Sequence, residues 1–296
     1  MSALPFPVIL PPGYGVHLLP RGWHLDKDLE DLFGHLLIWE PPRADSIYVL
    51  SADVADGIGQ DRSCCDITRL GTVQEPEEQV AQFISPFIDP IDFAHVVDVM
   101  GRLYKGSDSQ PALCAVETNN HGIATQSELM RHLGYSNFYV WQYEDARPDR
   151  SPLTTRVGFQ TNRYTRPLIL ARYVKRVKGF DPVTGVPDYR INSPFTMQEL
   201  RTFRTLETLG EAEADPTNPD AHDDAIFSGA IGIYVCHTLQ REATGETVAD
   251  RRHRLSDQRR REGLVSTEQA SARDFRNLDY TLEEMRAGAF FEEEGL

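Results

Sequence analysis

Three acidic clusters, each set at the end or the start of an apolar run, limit what this chain can become. Asp53 follows the run Tyr48–Ala52 and leads into Asp56, Gly57, Gly59 and Asp61; Glu117 closes the run from Pro111; His222-Asp223-Asp224 opens an amphipathic stretch. Carboxylates released from two strand ends and one helix start can converge on a single point. Two of them about 4 Å apart repel by roughly 1 kcal/mol in bulk water and about 4 kcal/mol at an effective dielectric near 20. Three or four in one pocket therefore require protons or a divalent cation. Mg²⁺ suits such a set, because it prefers hard oxygen ligands, accepts few carboxylates and keeps waters that can become nucleophiles. Metal-dependent nuclease chemistry is the expectation.

Length and charge bound the alternatives. A chain of 296 residues with 40% hydrophobic content can bury one substantial core. We expect a lead-in over 1–43 that packs on a main domain over 44–240, followed by a polar, weakly ordered tail over 241–296. The formal charge of −15 argues against a general nucleic-acid coat. Its distribution is uneven, however. Arg147, Arg150, Arg156, Arg163, Arg166, Arg172, Lys175, Arg176 and Lys178 face only Asp149, forming a cationic island, and a second basic run spans Arg251–Arg254 and Arg259–Arg261. A solvated face or loose tail is the ordinary reading of such runs, and it weighs more for the second than for the first. Cys64, Cys65, Cys114 and Cys236 contain no C-x-x-C, so reduced, buried thiols are expected rather than a zinc ribbon or disulfide framework. No apolar run reaches the roughly 18 residues of a membrane span, and the first residues lack a basic n-region, so the expectation is a soluble, intracellular protein.

The order of elements follows from periodicity and punctuation. Asp28–Leu37 looks helical; Ser46–Asp53 and Ser63–Leu70 read as strands. A third strand near Thr72–Ile84 is placed at the sheet edge by the charges of Glu75, Glu77 and Glu78. Asp89-Pro90 begins a helix to about Lys105, with Phe93, Val96, Val97, Met100 and Leu103 at helical spacing. Pro111–Glu117 is a short apolar strand of the kind buried on both faces. A helix over Ile123–Leu133, a strand over Asn137–Trp141 and helices over Pro167–Lys178 and Met197–Leu209 follow. In the last helix, from His222, Gly229 and Gly232 with their apolar neighbours are small enough to pack flush on a sheet. The order β-β-β-α-β-α-β, an insertion, then α fits an RNase H-like α/β fold with a mixed central sheet and flanking helices.

Each acid has an ordinary explanation beside the functional one. Asp53 could be a turn acceptor before Gly57. Asp56 and Asp61 loosely match a calcium loop whose full pattern is absent, so Asp56 is as well explained by the turn, and Asp61 is the weaker metal candidate. Glu117 is costly on a central strand unless a cation or an arginine pairs with it. Asp223 and Asp224 sit where the helix dipole favours acids; one would suffice as a cap, and the second is then available to metals. Arg156, Thr161, Arg163, Arg166, Arg172 and Lys175 are candidate DNA contacts, with Pro167 at a helix start whose amides would hold phosphate.

Five segments in this order resemble one family: Leu36–Pro42, Tyr48–Gly57, Ala115–Gly122, Gly158–Asn162 and His222–Ala225 are similar to the C-terminal nuclease half of the large terminase subunit of tailed bacteriophages. The likeness covers about Asp28 to Leu239. It implies an endonuclease that cuts concatemeric double-stranded viral DNA in the host cell cytoplasm. Two divalent ions, Mg²⁺ or Mn²⁺, would be held by Asp53, Glu117 and one of Asp223 or Asp224. Portal protein and the small terminase subunit are the implied partners. No G-x-x-x-x-G-K-[ST] occurs, so the family's ATPase motor is not expected in this chain. The competing expectations are a non-catalytic docking module of the packaging machine and another RNase H-like enzyme, such as a resolvase or integrase.

Overall fold

The computed structural model describes residues 7–21, 29–106, 109–144, 153–205, 212–214 and 221–261. Its centre is a mixed sheet. Strands β1 (Gly15–Leu18), β2 (His35–Ile38), β3 (Tyr48–Asp53), β4 (Ser63–Arg69), β5 (Glu77–Ser85) and, after helix α1 (Pro90–Leu103), β6 (Leu113–Val116) stand in the order β1-β2-β5-β4-β3-β6. β3, β4 and β5 form an antiparallel meander, whereas β6 joins β3 in parallel. Helix α2 (Gly122–Arg131) follows β6, a hairpin of β7 (Val140–Glu144) and β8 (Leu153–Val157) leaves the sheet, and α3 (Thr165–Lys178) returns over it. Strand β9 (Tyr189–Arg190), helix α4 (Pro194–Thr202), the small pair β10 (Phe203–Thr205) and β11 (Ala212–Ala214), and helices α5 (Asp224–Thr244) and α6 (Val248–Arg261) complete the order.

Alternation along β3 explains the two layers, because successive side chains point to opposite faces. Leu50 and Ala52 join the Phe93, Val96, Val97 and Met100 face of α1 in one core. Val49 joins Ile169, Tyr173, Phe227, Ile231 and Val235 of α3 and α5 in the other. α1 begins where expected, with Pro90 after Asp89, whose side chain accepts from the amides of Ile91 and Asp92. α5 lies close on β3 and β4: a methyl on Gly232 would come within 2.7 Å of the Ser51 hydroxyl oxygen. Gly245, at a positive φ of 76°, ends it. All four cysteines are buried and none forms a disulfide.

Several expectations change. Of the helical-looking stretch Asp28–Leu37, Asp28 lies outside the described residues and the rest forms a 3₁₀ turn over Leu29–Leu32 followed by strand β2, so part of the expected lead-in belongs to the main sheet. Tertiary pairing overrides the local periodicity, since Leu36 and Leu37 each find a buried face on β5's edge. β5 is interior, not an edge strand. β4 runs along one side, while β2 and β9 share the other. Its acids are compensated: Glu78 meets the Arg69 guanidinium at 3.0 Å and Glu77 meets Arg176 at 3.8 Å. Phe138 touches Cys114 only through an isolated parallel bridge before the chain departs into the β7–β8 hairpin. α4 stops at Thr202, short of the expected Leu209, and passes directly into β10.

The chain beyond 240 is also more ordered than its composition suggests, as far as Arg261. Arg252, 2% exposed, donates to the backbone carbonyls of Thr72, Val73, Glu75 and Pro187, which pins α6 to two loops. Charge pattern alone cannot reveal that one arginine of a basic run is turned inward. Arg147, Arg150 and the tail over 262–296 lie outside the described residues.

Candidate active site

β3 and β6 run in parallel as neighbours and end together, which brings Asp53 beside Glu117. The Glu117 carboxyl is near enough to act on the titration of Asp53. Asp53 keeps some solvent exposure as a residue, yet its carboxyl is desolvated. Its pKa is pushed well above the ordinary carboxylate value, first by burial, then by repulsion from Glu117, Asp224 and Asp223. Gly122 makes the turn after Glu117 possible, because a methyl there would sit on the Glu117 carbonyl oxygen. Asn119 donates to the Glu117 carboxylate at 3.1 Å and to the Thr161 hydroxyl at 2.6 Å, and the Thr161 hydroxyl itself donates to Glu117.

The N-terminus of α5 supplies the other acids, but not as expected. Neither the simple cap nor the division of labour between the two aspartates occurs: Asp223 stands at the cap position and makes no side-chain cap bond. The amides of Ala225 and Ile226 donate instead to Glu199 of α4, at 2.8 and 3.1 Å. Glu199 is 2% exposed, and burial followed by the charge of Asp224 pushes its pKa well up. Sequence reasoning missed it, since a single glutamate inside a helical segment carries no signal of a distant cap. Asp223 pairs with Arg166 at 2.8 Å, and the Arg166 guanidinium lies 4.0 Å from the Phe227 ring centroid. Asp224 accepts from the Arg62 amide at 3.2 Å and lies 3.7 Å from His222. Its pKa rises from 3.8 to about 7, chiefly through burial and then through Asp223.

Asp53, Glu117, Asp223 and Asp224 thus occupy one electrostatic neighbourhood. Among the described residues, however, no group of three His, Cys, Asp or Glu side chains is arranged to hold a metal ion. Asp223 is engaged by Arg166 and Asp224 by the Arg62 amide. In donor chemistry the set still suits a hard divalent cation: it is all oxygen, and the neighbouring carboxylates raise the proton affinity of Asp53 and Asp224. Asp61 is exposed on the loop before β4, and its charge reaches Asp224. Asp56 takes the turn role, accepting from the Ile58 amide at 3.1 Å.

The candidate DNA contacts divide. Thr161 faces Glu117. Arg156 bonds Gln160 at 2.7 Å, Arg163 lies over Tyr164, and Arg172 lies 4.5 Å from the Tyr234 ring centroid. Arg163 and Lys175 are exposed. The start of α3 is less open than expected for phosphate, because Asn162 already accepts from the amides of Tyr164 and Thr165. Arg176, counted in the cationic island, is buried against Glu77.

No helix among the described residues is long and apolar enough to cross a membrane. Comparison of the sequence with models of known protein families and with curated proteins gives no match.

Proposed function

We propose that this protein is a divalent-metal-dependent DNA endonuclease with an RNase H-like fold. The observation that carries the reading is the meeting of Asp53 and Glu117 at the ends of two parallel neighbouring strands, with the aspartates of α5 close enough to raise the pKa of Asp53. An antiparallel three-strand meander, a fourth strand parallel to its first, and a helix packed across the sheet with its acidic start at the strand ends support the fold. Likeness in fold alone would not establish chemistry.

In this reading Asp53, Glu117 and Asp224 would hold the ions, and Asp223 would join them on release from Arg166. Divalent ions, if held there, would supply an activated water and charge neutralisation at the phosphodiester. The chain's own residues supply the rest. Asn119 and Thr161 fix the Glu117 carboxylate, Glu199 fixes the start of α5, and Arg163, Arg166 and Lys175 offer positive charge to phosphate. Duplex DNA is the proposed substrate. Concatemer cutting, portal protein and the small terminase subunit rest on the five-segment resemblance alone.

The test is plasmid cleavage in Mg²⁺ or Mn²⁺. Cutting that is lost in Asp53→Asn and Glu117→Gln is the expected result; no cutting at high protein concentration, or equal cutting by both variants, removes the proposal. A second reading, a non-catalytic docking module whose acids merely pair, draws on the lack of a preformed three-ligand group among the described residues. Calorimetry with Mn²⁺ separates the two, because only the nuclease reading requires a tight divalent site. Branched and hybrid substrates test the resolvase-like and integrase-like variants of the enzyme reading.

A further inference from the structure

We infer that Glu199 is a positioning residue: by capping α5 from another helix, it keeps the Asp223 and Asp224 carboxylates off the helix cap, in the neighbourhood of Asp53 and Glu117. The role attached to those four acids rests on the proposed nuclease site, whereas the capping claim stands on geometry alone.

The first turn of any helix presents amides that need acceptors, and an aspartate at the cap position is among the best local suppliers. Here the local supplier is not used. One oxygen of Glu199, carried by α4 and 26 residues before Ala225 in sequence, accepts from the amides of both Ala225 and Ile226. Its other oxygen is buried without a hydrogen bond, 3.7 Å from the Arg62 guanidinium. Burying a carboxylate so completely is costly, and ordinary capping by Asp223 would have made it unnecessary for helix stability. The arrangement relieves Asp223 of the cap, so its carboxylate points to Arg166 rather than back over its own helix. Arg62 contributes at the same place: its amide binds Asp224 while its guanidinium lies 4.9 Å from the Phe33 ring centroid. Phe33 in turn stacks on Phe195 at the start of α4. α4, the Arg62 loop and the start of α5 therefore form one braced unit around the aspartates.

The experiment compares full-length wild type, Glu199→Ala, Glu199→Gln and Glu199→Ala/Asp223→Ala, each checked for cooperative unfolding. Amide hydrogen exchange is read at Ala225 and Ile226, and Mn²⁺ affinity by calorimetry. In Glu199→Ala, exchange at those amides should rise about tenfold, with Mn²⁺ affinity falling by a comparable factor as Asp223 turns to the vacant amides. Glutamine can still accept from both amides, so Glu199→Gln should restore protection and affinity to within about threefold. The double variant should exchange faster than Glu199→Ala. Unchanged exchange in Glu199→Ala, failure of glutamine to rescue, or faster exchange with unaltered Mn²⁺ affinity would each overturn the inference. If wild type binds no Mn²⁺, the nuclease reading fails by itself, and the exchange series still decides whether Glu199 is the cap.

Discussion

Asp224→Asn should make the metal-free protein more stable while abolishing its response to metal. Asp224 has a side chain 14% exposed and a pKa raised from 3.8 to about 7. A carboxyl whose folded pKa is raised binds protons more tightly folded than unfolded, so stability falls as pH climbs between those two values and stays reduced above them. At ~1.4 kcal/mol per pH unit, the rise corresponds to at most roughly 4 kcal/mol at pH 8. Asparagine removes the charge and retains an oxygen that can accept from the Arg62 amide. Chemical denaturation at pH 8 without metal should therefore place the variant above wild type, by up to that amount. At pH 4 the difference should shrink to below about 1 kcal/mol. Added Mn²⁺ should stabilise wild type, by about 2.7 kcal/mol at a hundredfold excess over Kd, and leave the variant nearly unmoved. A variant less stable than wild type at pH 8, or a difference equal at both pH values, would refute the electrostatic account of this site.

Other consequences are equally direct. Gly122→Ala places a methyl against the Glu117 carbonyl, so it should cost about 1–3 kcal/mol in urea unfolding. Arg69, 2% exposed, binds Glu40, Glu75 and Glu78 at 2.8 to 3.0 Å. Arg69→Ala takes away the buried cation of this network and leaves Glu40 and Glu78 to the more exposed Arg21, Arg43 and Arg190, so it should lower stability by about 3 kcal/mol, measured in the same way. Arg166→Ala removes the partner of Asp223 and one cation facing substrate. The slope of log DNA affinity against log salt should flatten by about 0.9, while an unchanged slope would mean that Arg166 serves Asp223 only.

How much of this was readable in advance depends on the range of each interaction. Asp89-Pro90 announced α1 because a cap and a fixed φ act within one turn. Asp53 and Glu117 were recognisable as strand-end carboxylates for a similar reason: an apolar run that stops at an acid marks where burial ends. Gly229 and Gly232 announced a helix lying close on a sheet. In each case the residues next in sequence carry the physics.

Where the deciding partner came from far along the chain, the sequence was silent or misleading. The acids of β5 looked like those of an edge strand until Arg69 and Arg176 met them, and Arg252 looked like one more solvated arginine until its carbonyl partners gathered around it. The same holds at the site. Local residues settled which carboxylates stand at the ends of elements, whereas the assembled fold settled that Glu199 takes the cap and Arg166 takes Asp223. A hydrogen bond or ion pair depends on where atoms lie in space, and only chain closure brings residues so distant in sequence to bonding distance.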